Sequence, residues 1–223
     1  MISLKRAAKL NTKKHREAER LFLAEGAALI EESGQSPRWV FDQREEVRRL
    51  STLTTPTGPV GVFPFLDVSA EELLSTCERI VLLHGVQDPG NVGTIVRSAH
   101  AFGAGVVLSK GCADLYNPKT VRATMGSIFH VPVARELDSV EFLRAAKTAS
   151  FTPAAALPEG GERPRAMPSG RLVIVVGAEG SGLTQVVVEA CEIRVTIPSR
   201  AASLNAAIAA SILLYQAYVR VLP

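Results

Sequence analysis

Residues 83–108 read LHGVQDPGNVGTIVRSAHAFGAGVVL, and this stretch decides the fold. An apolar strand over Ile80–Leu83 runs into a Gly/Asn/Pro loop, His84–Asn91. A helix is expected from Val92 to Phe102, closed by Gly103 and Gly105, and Val106–Leu108 returns as a strand. Strand, loop, helix and strand in that order make one unit of a parallel sheet. The helix start offers unpaired backbone N–H groups to an anion. Arg97 stands among small and apolar residues between Thr94 and Phe102. A charge so placed needs an acidic partner or a phosphate.

The rhythm continues downstream. Helices are expected over Asn117–Ser127, Ser139–Thr148, Thr184–Glu189 and Leu204–Val219, and strands over Val131–Val133, Ser150–Ala156, Leu172–Val176 and Ile193–Ile197. The result is an α/β fold with a mostly parallel sheet. Ala206–Val219 is the longest apolar run and falls short of the ~20 residues a bilayer span needs, so no membrane association is expected. Two further segments carry chemistry. In LVIVVGAEGSGL (172–183) an apolar strand ends in glycines at 177, 180 and 182, with Glu179 the one charge. Ligands collect beyond the carboxyl ends of such strands, but the spacing is not GxGxxG, which argues against a dinucleotide enzyme. In VTIPSRAASLNAAIAASILLYQ (195–216), Ser203 and Asn205 flank Leu204 at the mouth of an apolar helix. One of them suffices as a cap, and the other is left for a ligand.

Upstream, residues 1–33 read as helical, with Leu21, Phe22, Ala24, Ala28 and Leu29 available for one face. Gly34, Ser36 and Pro37 end that pattern. Short elements follow: strand Trp39–Phe41, helix Glu45–Leu50, a turn through Pro56, Gly58 and Pro59, and strand Val60–Phe65. The expected organisation is a small α/β domain over 1–66, a linker or short helix over 67–78, and the main domain over 79–223. Of 223 residues 47% are hydrophobic and 21% charged, enough apolar material for a core. Net charge is only +3, yet Lys5, Arg6, Lys9, Lys13, Lys14, Arg16 and Arg20 crowd the first twenty residues against Glu17 and Glu19. Such a cluster can neutralise phosphates, and equally it can be a solvated helix face. Cys77, Cys112 and Cys191 form no CxxC, so neither a disulfide framework nor a metal site is expected, and a reducing cytoplasm is the natural compartment.

Taken together, residues 79–223 resemble the SpoU/TrmH branch of the SPOUT methyltransferases. The resemblance rests on three ordered motifs: Asn91, Gly93 and Arg97; Gly177 through Gly182; and Ser203-Leu204-Asn205. The stretch ADLYNPKTVRATMGSIFHVPV, which contains Arg122, looks like the family's region between the first two. KKHREAERLFLAEG and TPTGPVGVF are similar to the ends of an RNA substrate-binding domain often fused to this family.

The resemblance implies a C-terminal trefoil knot, a homodimer, and S-adenosylmethionine as cofactor. It also implies methylation of a ribose 2′-hydroxyl in structured RNA, with ribosomal RNA ahead of transfer RNA. Gly177, Ala178, Glu179, Gly180, Ile197, Pro198, Ser203, Leu204 and Asn205 would surround the cofactor. Lys13, Lys14, Arg16, Arg97 and Arg122 would meet RNA. The acceptor alcohol must lose a proton. An arginine, with a pKa above ~12, releases one poorly. Arg97 is therefore expected as a clamp on phosphate and developing alkoxide. Glu179 or a water would take the proton, and Asn91, Ser203 and Asn205 would position substrate and loop. An RNA-binding protein without catalysis and a base methyltransferase are the competing readings.

Overall fold

The computed structural model describes residues 2–220; the first residue of segment 1–66 and the last three of segment 79–223 lie outside it. The chain opens with α1 (Leu4–Lys9), α2 (Lys13–Glu19), β1 (Leu21–Glu25), α3 (Ala27–Glu32), β2 (Trp39–Phe41), α4 (Arg44–Leu50) and β3 (Val60–Pro64). These strands form a small antiparallel sheet in the order β1-β3-β2. The expectation of helix throughout 1–33 is thus corrected. Arg20 takes a left-handed conformation, φ 52°, and turns the chain out of α2. The fully buried run Leu21–Glu25 then pairs with β3.

The segment expected as linker or short helix contains α5 (Ala70–Thr76), whose Leu73 and Leu74 are buried. Then come β4 (Arg79–His84), α6 (Pro89–Ala101), β5 (Gly105–Ser109), α7 (Pro118–Ala123), a 3₁₀ turn at Ser127–Phe129, β6 (Val133–Leu137) and α8 (Ser139–Thr148). The chain continues with β7 (Thr152–Ala156), β8 (Leu172–Gly177), α9 (Gln185–Ala190), β9 (Ile193–Val195) and α10 (Ala206–Val219). The helix expected over Asn117–Ser127 stops early because Met125 and Gly126 both adopt positive φ. The strand expected over Ile193–Ile197 ends at Val195.

Six strands pair in parallel in the order β6-β5-β4-β8-β7-β9. Side chains alternate across a sheet, so β4 and β8 feed two cores. Val81, Leu83, Ile174 and Val176 join Val92, Ile95, Val96 and Ala99 of α6 and Ala210, Leu213 and Leu214 of α10. Ile80, Leu82, Val173 and Val175 face Leu73, Phe142, Leu143 and Val187 on the other side. The strand order reverses between β4 and β8, where open parallel sheets place their ligands.

The small sheet is fastened to the first core. Phe22 lies 4.9 Å from the Tyr116 ring and Phe63 lies 4.8 Å from Phe129. Tyr116 Oη accepts from the backbone of Leu66 (2.6 Å) and Asp67 (2.8 Å) and donates to Asp67 Oδ1 (2.8 Å).

Candidate active site

The carboxyl ends of β4, β7 and β8 open into two adjoining cavities. The larger, about 490 Å³, is bounded by Ala156, Leu157 and Pro158 after β7, Val176–Gly180 and Gly182 at β8, Val195 and Ile197, and Ser199 and Ala201–Ala206 before α10. The smaller, about 350 Å³, is bounded by His84–Asp88, Asn91, Ser181 and Thr184. Ala178, Glu179 and Gly182 belong to both walls.

Local chemistry explains how the elements present these side chains. Asp88 Oδ1 accepts from the Asn91 backbone N–H (2.9 Å) and caps α6, with Pro89 in the first turn. That hydrogen bond holds the Asp88 carboxyl below the usual carboxylate range, against a small opposing effect of burial. Asn205 caps α10 by accepting from Ala207 N (2.9 Å) and Ile208 N (3.2 Å). Its amide nitrogen remains free to donate to Asn91 Oδ1 (3.1 Å) and to Glu179 Oε1. Asn91 Nδ2 donates to the same Glu179 oxygen at 2.7 Å. One carboxylate therefore ties the starts of α6 and α10 together. His84 closes the polar cavity, its Nδ1 2.8 Å from Ser139 Oγ. Burial holds its pKa below the ordinary value despite the pull of Asp138.

Most of the expected cofactor residues meet in the larger cavity: Gly177, Ala178, Glu179, Gly180, Ile197, Ser203, Leu204 and Asn205. Pro198 does not line it. Gly177 is small for a reason of its own, because a Cβ there would strike the backbone of Gly182 and Leu183, where the loop folds back on β8. Ala156, Leu157 and Pro158 escape the sequence reading; only the neighbouring of β7 and β8 brings them in.

Arg97 is exposed, and among the described residues it makes no ion pair. It is not the embedded charge its neighbours suggest: α6 buries Val92, Ile95, Val96 and Ala99 and turns Arg97 outward. Arg16 is a second correction. It is buried, with Nη2 2.6 Å from Asp114 Oδ2 and Nη1 donating to Leu10 O (2.7 Å), and so cannot meet RNA. Lys13 pairs with Glu136 at 2.7 Å, Lys14 is exposed, and Arg122 donates to Thr52 Oγ1 at 3.0 Å.

A profile of the SpoU rRNA Methylase family matches residues 78–215, from the start of the parallel sheet into α10. The chain belongs to this family. As a SpoU protein it is an RNA methyltransferase that takes its methyl group from S-adenosylmethionine. It is 35% identical to the 23S rRNA (guanosine(2553)-2′-O)-methyltransferase RlmP of Bacillus subtilis, over 93% of this chain and 92% of that one. Among solved structures it resembles an AdoMet-bound rRNA methyltransferase from Sinorhizobium meliloti (29% identity, 99% and 95% of the two chains, TM-score 0.90). A TrmH-family protein from Porphyromonas gingivalis is also similar (30% identity, 99% of each chain, TM-score 0.85).

The larger cavity suits the cofactor. Its apolar walls (Val176, Ile197, Leu204, Ala209) and small residues can receive a flat base and a thioether chain, and Glu179 is a carboxylate beside which a sulfonium cation is favoured.

Proposed function

We propose that this SpoU protein methylates a ribose 2′-hydroxyl of ribosomal RNA, in the cytoplasm and as a homodimer, with its N-terminal 66 residues serving RNA binding. The observation that carries this reading is Glu179, which forms the common wall of two cavities of different character. The apolar one takes the cofactor, with Gly177, Ala178, Gly180, Ile197, Ser203 and Leu204 around it. The polar one takes the acceptor nucleotide. S-adenosylmethionine supplies an electrophilic methyl group; the chain must orient the alcohol and accept its proton. Glu179 Oε1 is committed to Asn91 and Asn205, which fix the carboxylate between the cavities. Its other oxygen takes the proton, directly or through water. Arg97 grips RNA phosphate with its planar fork and steadies the developing alkoxide. The loop 177–183 and the segment leading to α10 are the parts read as the knot.

For the dimer, α10 supports the reading. Leu213 and Leu214 are buried, while Ile208 (53% exposed), Ile212 (38%) and Tyr215 (54%) form an outward apolar stripe. Such a stripe suits a two-fold contact. For the compartment, no described helix is long and apolar enough to cross a membrane.

The test is methyl transfer to an unmodified ribosomal RNA transcript, followed by digestion and mass spectrometry of the nucleosides. A 2′-O-methylnucleoside is expected; a base-methylated product overturns the ribose reading. In the same assay Glu179→Gln should lose most turnover, well beyond the modest loss of cofactor affinity that removing the charge beside the sulfonium causes. Light scattering should give a dimer for the wild type and a monomer for Ile212→Glu.

A further inference from the structure

We propose that RNA reaches the polar cavity along a basic track on α7, with Lys119 and Arg122 holding its phosphate backbone. This rests on the function proposed above and names the path by which its substrate enters.

Folding buries or pairs four cations of the basic cluster of the first twenty residues and leaves Lys5, Lys9 and Lys14 exposed. Arg16 is buried against Asp114, Arg6 pairs with Glu19, Lys13 with Glu136 and Arg20 with Asp67. Besides Arg97 on α6, α7 supplies Lys119, which reaches the wall of the polar cavity, and Arg122 beside it. Lys119 and Arg122 are three residues apart and share one helix face. Arg122 reaches back to Thr52 Oγ1, just past α4 of the small α/β unit. Lys119 reaches forward to Asp88 Oδ2 at 3.3 Å, and Asp88 is part of the polar cavity's wall. The two side chains thus span from the N-terminal unit to the mouth of the acceptor site.

Neither charge is spent where it stands. Thr52 is neutral, so Arg122 keeps its full positive charge. Glu25, which lines a small cleft with Thr52 and Arg122, is committed to Ser51 Oγ and the Thr57 backbone N–H. Lys119 is 62% exposed, and its long contact with Asp88 is of a kind that contributes little. Asp88 does not depend on Lys119, because its other oxygen caps α6. A phosphate can replace either partner, releasing counterions as it binds.

The test measures binding of an unmodified ribosomal RNA transcript against salt concentration. Lys119→Ala and Arg122→Ala should each reduce the log–log salt slope by roughly 0.7–0.9 and the double variant by about twice that. KM for RNA should rise, with cofactor affinity measured by calorimetry unchanged. Arg144→Ala, on exposed α8 across the sheet, removes the same charge and should leave the slope alone. A wild-type slope in the double variant overturns the track, and so does an equal loss in Arg144→Ala. Either result leaves RNA methylation by the wild type standing, whereas a wild-type protein that binds this RNA but methylates none of it overturns the function itself.

Discussion

Helices α2 and α6 each carry an arginine on a short amphipathic segment, and the two side chains live in opposite surroundings. Arg16 is 2% exposed and held by Asp114 and Leu10 O. Arg97 faces solvent, with no acid in ion-pair reach among the described residues. Helical periodicity turns Arg97 outward, and the next layer decides what each arginine meets: the loop after β5 delivers Asp114 to α2, while α6 packs its other face on β4 and α10. A buried arginine with its acid joins two parts of the fold. An exposed one without an acid is available to a ligand.

The strongest way to break this contrast is Arg16→Ala, which strands a buried carboxylate. A loss of about 3–5 kcal/mol is expected in urea unfolding. Replacing Asp114 as well should restore part of it, and a loss below ~1 kcal/mol would show that the pair joins nothing. Arg97→Ala should do the reverse: stability within ~0.5 kcal/mol of wild type, and single-turnover methyl transfer reduced about 10²–10³-fold. Arg97→Lys should recover only a small part, since it keeps the charge without the fork. Near-normal turnover in Arg97→Ala would take the residue out of the mechanism.

The contrast sharpens at the cofactor loop. Gly180 has φ +89° and no heavy atom within 4 Å of a would-be Cβ. Gly180→Ala should therefore act through backbone strain of roughly 1–2 kcal/mol, weakening cofactor binding in calorimetry while the protein stays folded. The smallest effect concerns Asp67, which stands between the two extremes. Burial pushes its carboxyl up, but the Tyr116 hydroxyl, Arg135 and Arg20 outweigh that and leave it below the usual range. A lowered folded value means stability present above the unfolded pKa of about 4 and lost as pH falls through the folded one. Thermal unfolding between pH 6 and pH 2 should show this decline, and Asp67→Asn should flatten it.

What could be read in the sequence was local. Ser203 and Asn205 announce a helix cap, a role Asn205 takes with the helix beginning at Ala206 and not at Leu204; Leu172–Val176 is the buried strand its apolar run suggests, and Glu179, the lone charge among glycines, stands at the site. The illegible features depend on distant chain. Asp114 lies 98 residues from Arg16. The break between α2 and β1 rests on Arg20, a residue whose type gives no sign of a left-handed turn. Arg97 looked enclosed because its sequence neighbours are apolar, yet helical periodicity turns those neighbours inward and Arg97 out.

Tyr116 has a consequence for the chain's susceptibility to cutting. Residues 64–69 join the end of β3 to the start of α5 and are the natural place to look for a protease-sensitive tether. A protease needs several residues to lift free of the surface and extend. Here the backbone N–H groups of Leu66 and Asp67 hang on one buried phenol, Phe65 stacks on its ring at 3.9 Å, and Val68 N–H donates to Val133 O. Opening that segment means pulling an aromatic plug out of the core. In limited digestion the two halves of the molecule should stay joined by an intact peptide, giving way there only when the whole fold does.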